Sequence, residues 1–252
     1  MMRRLSLLLA GAAALATVGF APAVAEAPLD KAAIEKIVHD YIVNHPEVLE
    51  EAMAALEKKQ AAEASAGLAK VLEEKKSVLF DSTRQMTLGD QKGDVTVVEF
   101  FDYNCGYCKR ALTDMLSLME KDPKVRIVLK EFPVLGQGSV EAARVSVAIS
   151  RIAPQKYLDF HKRMLTGRGS ADHAKAMEAA KAAGVDMKAL EAALSDKEIS
   201  ATLEEVYGLA SGLGLSGTPS YVIGSQVVPG AIGFDRLQAR VAEARCTTTK
   251  SC

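Results

Sequence analysis

The stretch VTVVEFFDYNCGYCKR (residues 95–110) carries two cysteines, two residues apart, between an apolar run and a helical pattern. Residues 95–101 are apolar on both faces, which predicts a central β-strand that is covered on each side. After a short turn, helical spacing predicts a helix from Cys105 to about Met119. A further apolar run, Val125–Phe132, predicts a second buried strand. The order strand, helix, strand therefore places Cys105 at the N-terminus of a helix.

This placement favours redox chemistry for Cys105 and Cys108. Residues three apart on a helix lie about 5–6 Å apart on one face, which suits a disulfide without backbone movement. The free N–H groups and the dipole of a helix N-terminus favour an anion, so we predict that Cys105 is the low-pKa, attacking thiolate. Cys108, one turn further in, is then the more buried, resolving thiol. A purely structural disulfide would gain nothing from this position.

Two further cysteines, Cys246 and Cys252, lie in the C-terminal stretch CTTTKSC, after the last helical pattern. A four-thiolate zinc site normally needs two closely spaced pairs, whereas this second pair has five intervening residues. We therefore expect no metal site. The two residues either form a small disulfide loop or stay unpaired, and the sequence leaves this open.

The N-terminus has the pattern of a secretory signal peptide. Arg3 and Arg4 precede a long uncharged apolar run, and small residues at 23 and 25 form a cleavage site after Ala25. The apolar run is shorter than the roughly 20 residues of a spanning helix. Removal of residues 1–25 would lower the net charge from −1 to −3, which gives no indication of a nucleic-acid partner. We expect export to an oxidising space, the bacterial periplasm.

Glu99 is a carboxylate in the middle of the first predicted strand. Such a charge is costly there unless the strand lies at a sheet edge or the carboxylate is kept for chemistry. For the chemical role, we expect Glu99 to relay the proton of Cys108. Far downstream, Thr218-Pro219 opens another predicted strand, a position where proline is tolerated. The residues alone do not predict a cis bond at Pro219.

The pattern Glu99-x5-Cys105-x2-Cys108, the segment KEFPVLG (residues 130–136) and Thr218-Pro219 resemble the DsbA family of the thioredoxin superfamily. The resemblance implies an α/β thioredoxin fold with an inserted helical domain, at about residues 137–215. It implies no cofactor and a cis Pro219. It also implies that the backbone of Thr218 faces Cys105 and pairs with the substrate chain in a mixed disulfide.

The residues between the two cysteines depart from the strongly oxidising family members. Those members have Pro-His where this chain has Gly106-Tyr107. Without that histidine the Cys105 thiolate loses one stabilising partner. We therefore expect a reduction potential less oxidising than the roughly −120 mV of DsbA and closer to the roughly −180 mV of protein disulfide isomerase. Cys-Gly-Tyr-Cys, with Thr before the cis-proline, also occurs in the dimeric bacterial isomerase DsbC.

The segment before the catalytic domain predicts an oligomerisation arm. Residues 30–45 form a helical pattern with Asp30 as N-cap, and Pro46 opens the next helix. An amphipathic helix with nothing of its own to pack on usually finds another chain, although docking on its own catalytic domain is the alternative. The residues of the apolar stripe are Ile34, Ile37, Val38, Tyr41 and Ile42.

This start resembles the trimeric members of the ScsC (suppressor of copper sensitivity) group. The resemblance implies a deformable linker after the arm and isomerase activity. We predict an arm and linker at residues 26–77, a catalytic domain at 78–245 and a tail at 246–252. The oligomer is expected to be a trimer rather than a dimer.

Together these features predict a periplasmic protein disulfide isomerase. We expect it to act on wrongly paired secreted proteins, to receive electrons from a membrane thiol reductase and to bind no nucleic acid. The alternatives are a DsbA-like dithiol oxidase and a copper-binding periplasmic protein that uses the same cysteine pair. The four histidines have no partner at metal-ligand spacing, so surface or capping positions are expected for them. They are His39, His45, His161 and His173.

Overall fold

The computed structural model describes residues 30–249. Contacts divide the chain into two compact units, one up to Lys58 and one from Lys59 onward. The expected signal peptide and Cys252 lie outside the described residues. Within residues 30–249, none of the helices has the length and apolar character needed to cross a membrane.

The first unit contains helix α1 (Lys31–Asn44) and the beginning of helix α2 (Glu47–Glu74). Asp30 caps α1, and its carboxylate accepts a hydrogen bond from the Ala33 N–H at 2.7 Å, which confirms the predicted N-cap. No residue of α1 is buried. Four members of its apolar stripe are about half exposed, namely Ile34, Ile37, Val38 and Tyr41.

Helix α2 extends through the later part of the segment predicted as arm and linker. Gly67 lies inside this helix, which continues to Glu74. Leu72, near its C-terminal end, packs in a buried cluster with Val98 and Phe100. Contacts place the start of the second compact unit at Lys59, and the start of the catalytic domain at Val78 stays a prediction.

A five-stranded sheet in the order β1-β3-β2-β4-β5 forms the centre of the second unit. Strands β2 and β3 are parallel, as a strand, helix, strand connection requires, and the other pairs are antiparallel. The strand β2 matches the predicted strand and lies in the middle of the sheet. The strands are β1 (Met86–Gly89), β2 (Val95–Phe101), β3 (Val125–Glu131), β4 (Ser220–Ile223) and β5 (Gln226–Pro229).

The C-terminal part of α2 and eight further helices, described within residues 59–249, surround this sheet. The inserted helical domain, expected at about residues 137–215, begins at Gln137 and its last helix ends at Gly212; within it one helix ends at Ile152 and the next begins at Pro154. The eight helices are α3 (Lys76–Asp81), α4 (Gly106–Lys121), α5 (Gln137–Ile152), α6 (Pro154–Thr166), α7 (His173–Ala182), α8 (Met187–Ala193), α9 (Lys197–Gly212) and α10 (Phe234–Thr249).

Both faces of β2 are buried because its side chains alternate between two apolar clusters. Val97 and Phe101 pack into the larger cluster, with α4, α10 and the inserted helices. Val98 and Phe100 pack into the smaller cluster, with α2, α3 and α9. Because both faces of β2 are buried, its sequence is a nearly continuous run of apolar residues.

The C-terminal stretch differs from the prediction of a tail after the last helix. Helix α10 runs to Thr249, so Cys246 lies within it. Cys246 takes part in a disulfide, whereas Cys105 and Cys108 are free thiols.

Candidate functional site

Cys105 is the N-cap of α4, as the sequence predicts. Its backbone is extended, and its Sγ accepts a hydrogen bond from the Cys108 N–H at 3.4 Å. Cys105 keeps 6% of its surface exposed, whereas Cys108 is completely buried. The Cys105 side chain is therefore the more accessible of the two.

The Thr218-Pro219 peptide lies directly beside this pair. Its bond is cis, as the family resemblance implies. The Cys105 thiol donates a hydrogen bond to the Thr218 carbonyl oxygen, with 3.1 Å between Sγ and O. The structure thus places the Thr218 backbone opposite Cys105, and its pairing with a substrate chain remains a prediction.

The surroundings of Cys108 disfavour its thiolate. Burial raises the pKa of the Cys108 thiol far above its ordinary value, and the nearby charges of Glu99 and Cys105 raise it further. Hydrogen bonds from the Asp102 main chain and the Thr218 side chain oppose this rise. Any reaction through the Cys108 thiolate therefore needs a group that accepts its proton.

Glu99 lies close enough to Cys108 to influence its titration. It is 4% exposed, and burial, with a smaller effect of the Asp114 charge, raises the pKa of its carboxyl from 4.5 to about 8. The strands β3 and β4 pair on either side of it, so the interpretation of Glu99 as a solvated edge residue is wrong. A carboxyl with a pKa near 8 can both accept and return a proton close to neutral pH.

Gly106 and Tyr107 lie at the surface next to Cys105. A Cβ added at Gly106 would meet no atom within 4 Å, so glycine is not sterically required there. Tyr107 is 59% exposed, and the Arg110 guanidinium lies 4.3 Å from the centre of its ring. An open groove of about 560 Å³ begins at Tyr107 and continues along residues 214–220 and 229–231.

A buried polar network beneath the site was missed by the sequence analysis. The Tyr103 hydroxyl lies 2.8 Å from the Ser146 Oγ and 3.1 Å from the His161 Nδ1. The network continues from Ser146 through the Tyr157 hydroxyl to Glu131. Its members are far apart in the chain, so no local pattern in the sequence reveals it.

His161 corrects the expectation of surface or capping histidines. It is 2% exposed, and burial lowers its pKa to about 3, so the ring is neutral at physiological pH. The other three histidines, His39, His45 and His173, are exposed. Among residues 30–249, no group of three His, Cys, Asp or Glu side chains is arranged to hold a metal ion.

The comparisons with known families match both parts of the chain. Residues 96–242 match the DSBA-like thioredoxin domain. Residues 30–63 match the copper resistance protein ScsC N-terminal domain.

Three solved structures illustrate the similarity. A thioredoxin-like oxidoreductase from Silicibacter pomeroyi DSS-3 is 38% identical, with a TM-score of 0.65, and the match covers 70% of this chain and 98% of that one. A linker-deletion mutant of Proteus mirabilis ScsC is 28% identical, with a TM-score of 0.67, over 88% of this chain and 99% of that one. A periplasmic thioredoxin-like protein from Salmonella enterica serovar Typhimurium is 30% identical, with a TM-score of 0.59, over 68% of this chain and 95% of that one.

Among curated proteins, the chain is 23% identical over 164 residues, 65% of its length, to the Na⁺/H⁺ antiporter NhaA 1 of Salinispora arenicola (strain CNS-205). It spans only 25% of that protein's length. The family match, by contrast, covers more than half of this chain and includes both cysteines and the cis-proline. The chain therefore belongs to the family of DSBA-like thioredoxin domains and carries a ScsC-type N-terminal domain.

Proposed function

We propose that this protein is a periplasmic thiol–disulfide oxidoreductase that works as a protein disulfide isomerase through Cys105 and Cys108. The observation that carries the proposal is the position of Cys105. Its sulfur lies between the N-terminus of α4 and the Thr218 carbonyl, 3.1 Å away, next to the cis-proline. A structural disulfide needs neither the helix terminus nor an adjacent main-chain acceptor.

The exchange begins with the dithiol form. The Cys105 thiolate attacks one sulfur of a wrongly formed client disulfide, forms a mixed disulfide and expels the other client sulfur as a thiolate. If a client thiolate then attacks the mixed disulfide, a new client disulfide forms and Cys105 leaves unchanged. The number of electrons on the client is the same before and after, so this is isomerisation.

Cys108 provides the second way out of the mixed disulfide. Its thiolate attacks the Cys105 sulfur, forms the Cys105–Cys108 disulfide and releases the client as a thiol. The client gains two electrons and the protein loses two, so an external reductant must restore the dithiol. We propose that Glu99 takes the proton that Cys108 loses in this step, because its carboxyl is buried and its charge acts on that thiol.

The exposed stripe on α1 supports an oligomeric isomerase. Ile37 and Tyr41 remain 55% and 54% exposed, although both are large and apolar. We propose that this stripe packs against other copies of the chain, as a trimer. Several active sites around one client reach effective concentrations of order mM, which favours repeated attack on the same client.

A link to copper is a second proposal, which rests on the ScsC-type match of residues 30–63. Two thiolates form a soft site of the kind that selects Cu(I). Titration of the reduced protein with Cu(I), against a competing chelator, tests this directly. Equal copper uptake by wild type and Cys105→Ser would rule out the cysteine pair as the site.

Alkylation of thiols in acid-quenched cells that produce the protein tests the location and the redox direction together. We expect a mature protein that starts at Glu26, with Cys105 and Cys108 mainly reduced and alkylated. A mainly oxidised pair would favour the dithiol oxidase. A protein that keeps residues 1–25 would contradict export with cleavage.

A further inference from the structure

An aromatic ring and a cation lie together at the surface of the turn that begins α4. Tyr107, two residues after Cys105, is 59% exposed, and the Arg110 guanidinium lies 4.3 Å from the centre of its ring. Residues three apart on a helix share one face, and their side chains tilt towards the helix N-terminus. The Arg110 charge is therefore held near the end of α4 that Cys105 caps.

Tyr107 links this cation to the groove beside the active site. The groove begins at Tyr107 and includes Thr218, whose carbonyl accepts the hydrogen bond of the Cys105 thiol. The residues that line the groove, at 107, 214–220, 227 and 229–231, are all uncharged. Arg110 takes part in none of the salt bridges formed within residues 30–249. A carboxylate on an incoming client therefore meets a cation that has no carboxylate partner in the described part of the chain.

We propose that Arg110 is a specificity-determining residue: its guanidinium, held over the Tyr107 ring, favours client segments that carry a carboxylate next to the reactive cysteine. The occupant of the uncharged groove is then an extended client segment with a neutral stretch and an acidic residue beside its cysteine. In the step concerned, the Cys105 thiolate attacks the client disulfide, the mixed disulfide forms, and the other client sulfur leaves as a thiolate. The inference rests on the exchange proposed above and names the class of client that it favours.

The size of the preference follows from Coulomb's law. Two unit charges about 10 Å apart in water interact strongly enough to change a rate about twofold. Replacement of an acidic client residue by a basic one reverses the sign of the interaction, so the rate of attack should change about fourfold. The Debye length falls from about 30 Å at about 0.01 M salt to about 3 Å at about 1 M salt. The preference should therefore be present in dilute buffer and absent in concentrated salt.

The test uses disulfide-linked dimers of three short peptides that differ only in the residue next to cysteine, which is glutamate, glutamine or lysine. Each dimer is mixed with protein that carries Cys108→Ser, so that the mixed disulfide accumulates, and acid quenching with mass spectrometry gives the rate of its formation. The glutamine peptide corrects each variant for changes in the reactivity of Cys105 itself. At about 0.01 M salt, we expect Arg110→Gln to lower the ratio of the glutamate rate to the lysine rate about fourfold. Arg110→Lys, which keeps the charge, should keep most of the preference.

Lys121→Gln is the matched control. Lys121 lies on the same helix, and its ammonium group is also held over an aromatic ring, 4.2 Å from the centre of Phe234. It lies roughly 24 Å along the helix from Cys105, far beyond the reach of a screened charge at physiological salt. Its replacement should leave the ratio of the two rates unchanged.

An unchanged ratio in Arg110→Gln would overturn the inference. An equal fall of the ratio in Arg110→Lys or in Lys121→Gln would overturn it too, and so would a preference that persists at about 1 M salt. If the protein with Cys108→Ser formed no mixed disulfide with any of the three peptides, the proposed function itself would fail. Normal formation of the mixed disulfides, at a ratio that does not depend on Arg110, overturns this inference alone.

Discussion

Replacement of Glu99 by glutamine should stabilise the folded protein at neutral and alkaline pH. The carboxyl is 4% exposed, and burial raises its pKa from 4.5 to about 8. Each pKa unit corresponds to about 1.4 kcal/mol. At pH 7, ionisation of this residue in the unfolded chain therefore lowers the free energy of unfolding by about 3 kcal/mol. This loss is absent in the Glu99→Gln variant because glutamine does not ionise.

The pH dependence has a definite direction. Below pH 4.5 the Glu99 carboxyl is protonated in both the folded and the unfolded chain, so its ionisation costs the folded protein no stability. As the pH rises towards 8, the unfolded chain ionises while the folded chain keeps its proton, and stability is lost. The loss reaches about 5 kcal/mol above the folded pKa. Glu99→Gln should therefore gain little at pH 4 and most at pH 9.

Urea unfolding of the reduced protein at these two pH values measures the gain. Glu131→Gln is a matched control, because burial also raises the pKa of Glu131 to about 8. Glu131 accepts its hydrogen bond from Tyr157 at 3.2 Å, in the polar network, and an amide oxygen can keep this bond. Both variants should be stabilised at high pH. Only Glu99→Gln should slow the release of client by Cys108 and remove the rise of that rate near pH 8.

Two results would refute this reasoning. If Glu99→Gln gained the same free energy of unfolding at pH 4 and at pH 9, its carboxyl would not be a buried, protonated group. If Glu131→Gln slowed client release as much as Glu99→Gln, the effect would come from the loss of a buried carboxyl in general and not from a proton relay to Cys108.

Three further predictions concern the redox pair and the arm. Cys105→Ser should abolish exchange, whereas Cys108→Ser should accumulate mixed disulfides with clients on non-reducing gels; accumulation by Cys105→Ser instead would reverse the roles. Tyr107→His should make the reduction potential of the cysteine pair more oxidising, because the histidine adds a partner for the Cys105 thiolate; equilibration with a glutathione buffer measures this potential. An unchanged potential would show that Tyr107 does not tune it. Removal of residues 26–58 should give a protein that sediments as a monomer. It should still reduce simple disulfides but lose most isomerase activity. A full-length protein that is a monomer, or a shortened protein that isomerises as well as its parent, would contradict the role of the arm.

The central part of the fold could be predicted from the sequence because its signals are local. The run at residues 95–101 is apolar on both faces, and the structure buries both faces between two clusters. The change from a continuous apolar run to helical spacing at Cys105 marks the start of one helix, and the N-cap residue Asp30 marks the start of another. These features depend on neighbours within a few residues, so one sequence is enough to find them.

The features that were missed depend on contacts between distant parts of the chain. His161 is buried because Phe101 and Tyr103 pack against its ring, and neither residue is near it in sequence. Leu72 belongs to the catalytic unit because the sheet offers it an apolar face. The hydrogen bonds of Asp102 to Val134 and Leu135 likewise join segments that only the fold brings together.

Reactivation of a scrambled, multi-disulfide client tests the central proposal most directly. The client is refolded in a glutathione buffer with the wild-type protein, with Cys105→Ser or with no addition, and its regained enzymatic activity is followed over time. We predict that the wild-type protein restores activity in substoichiometric amounts, and that Cys105→Ser gives no more than the buffer alone. A wild-type protein that fails to rescue the scrambled client, but rapidly oxidises the fully reduced one, would contradict the isomerase assignment.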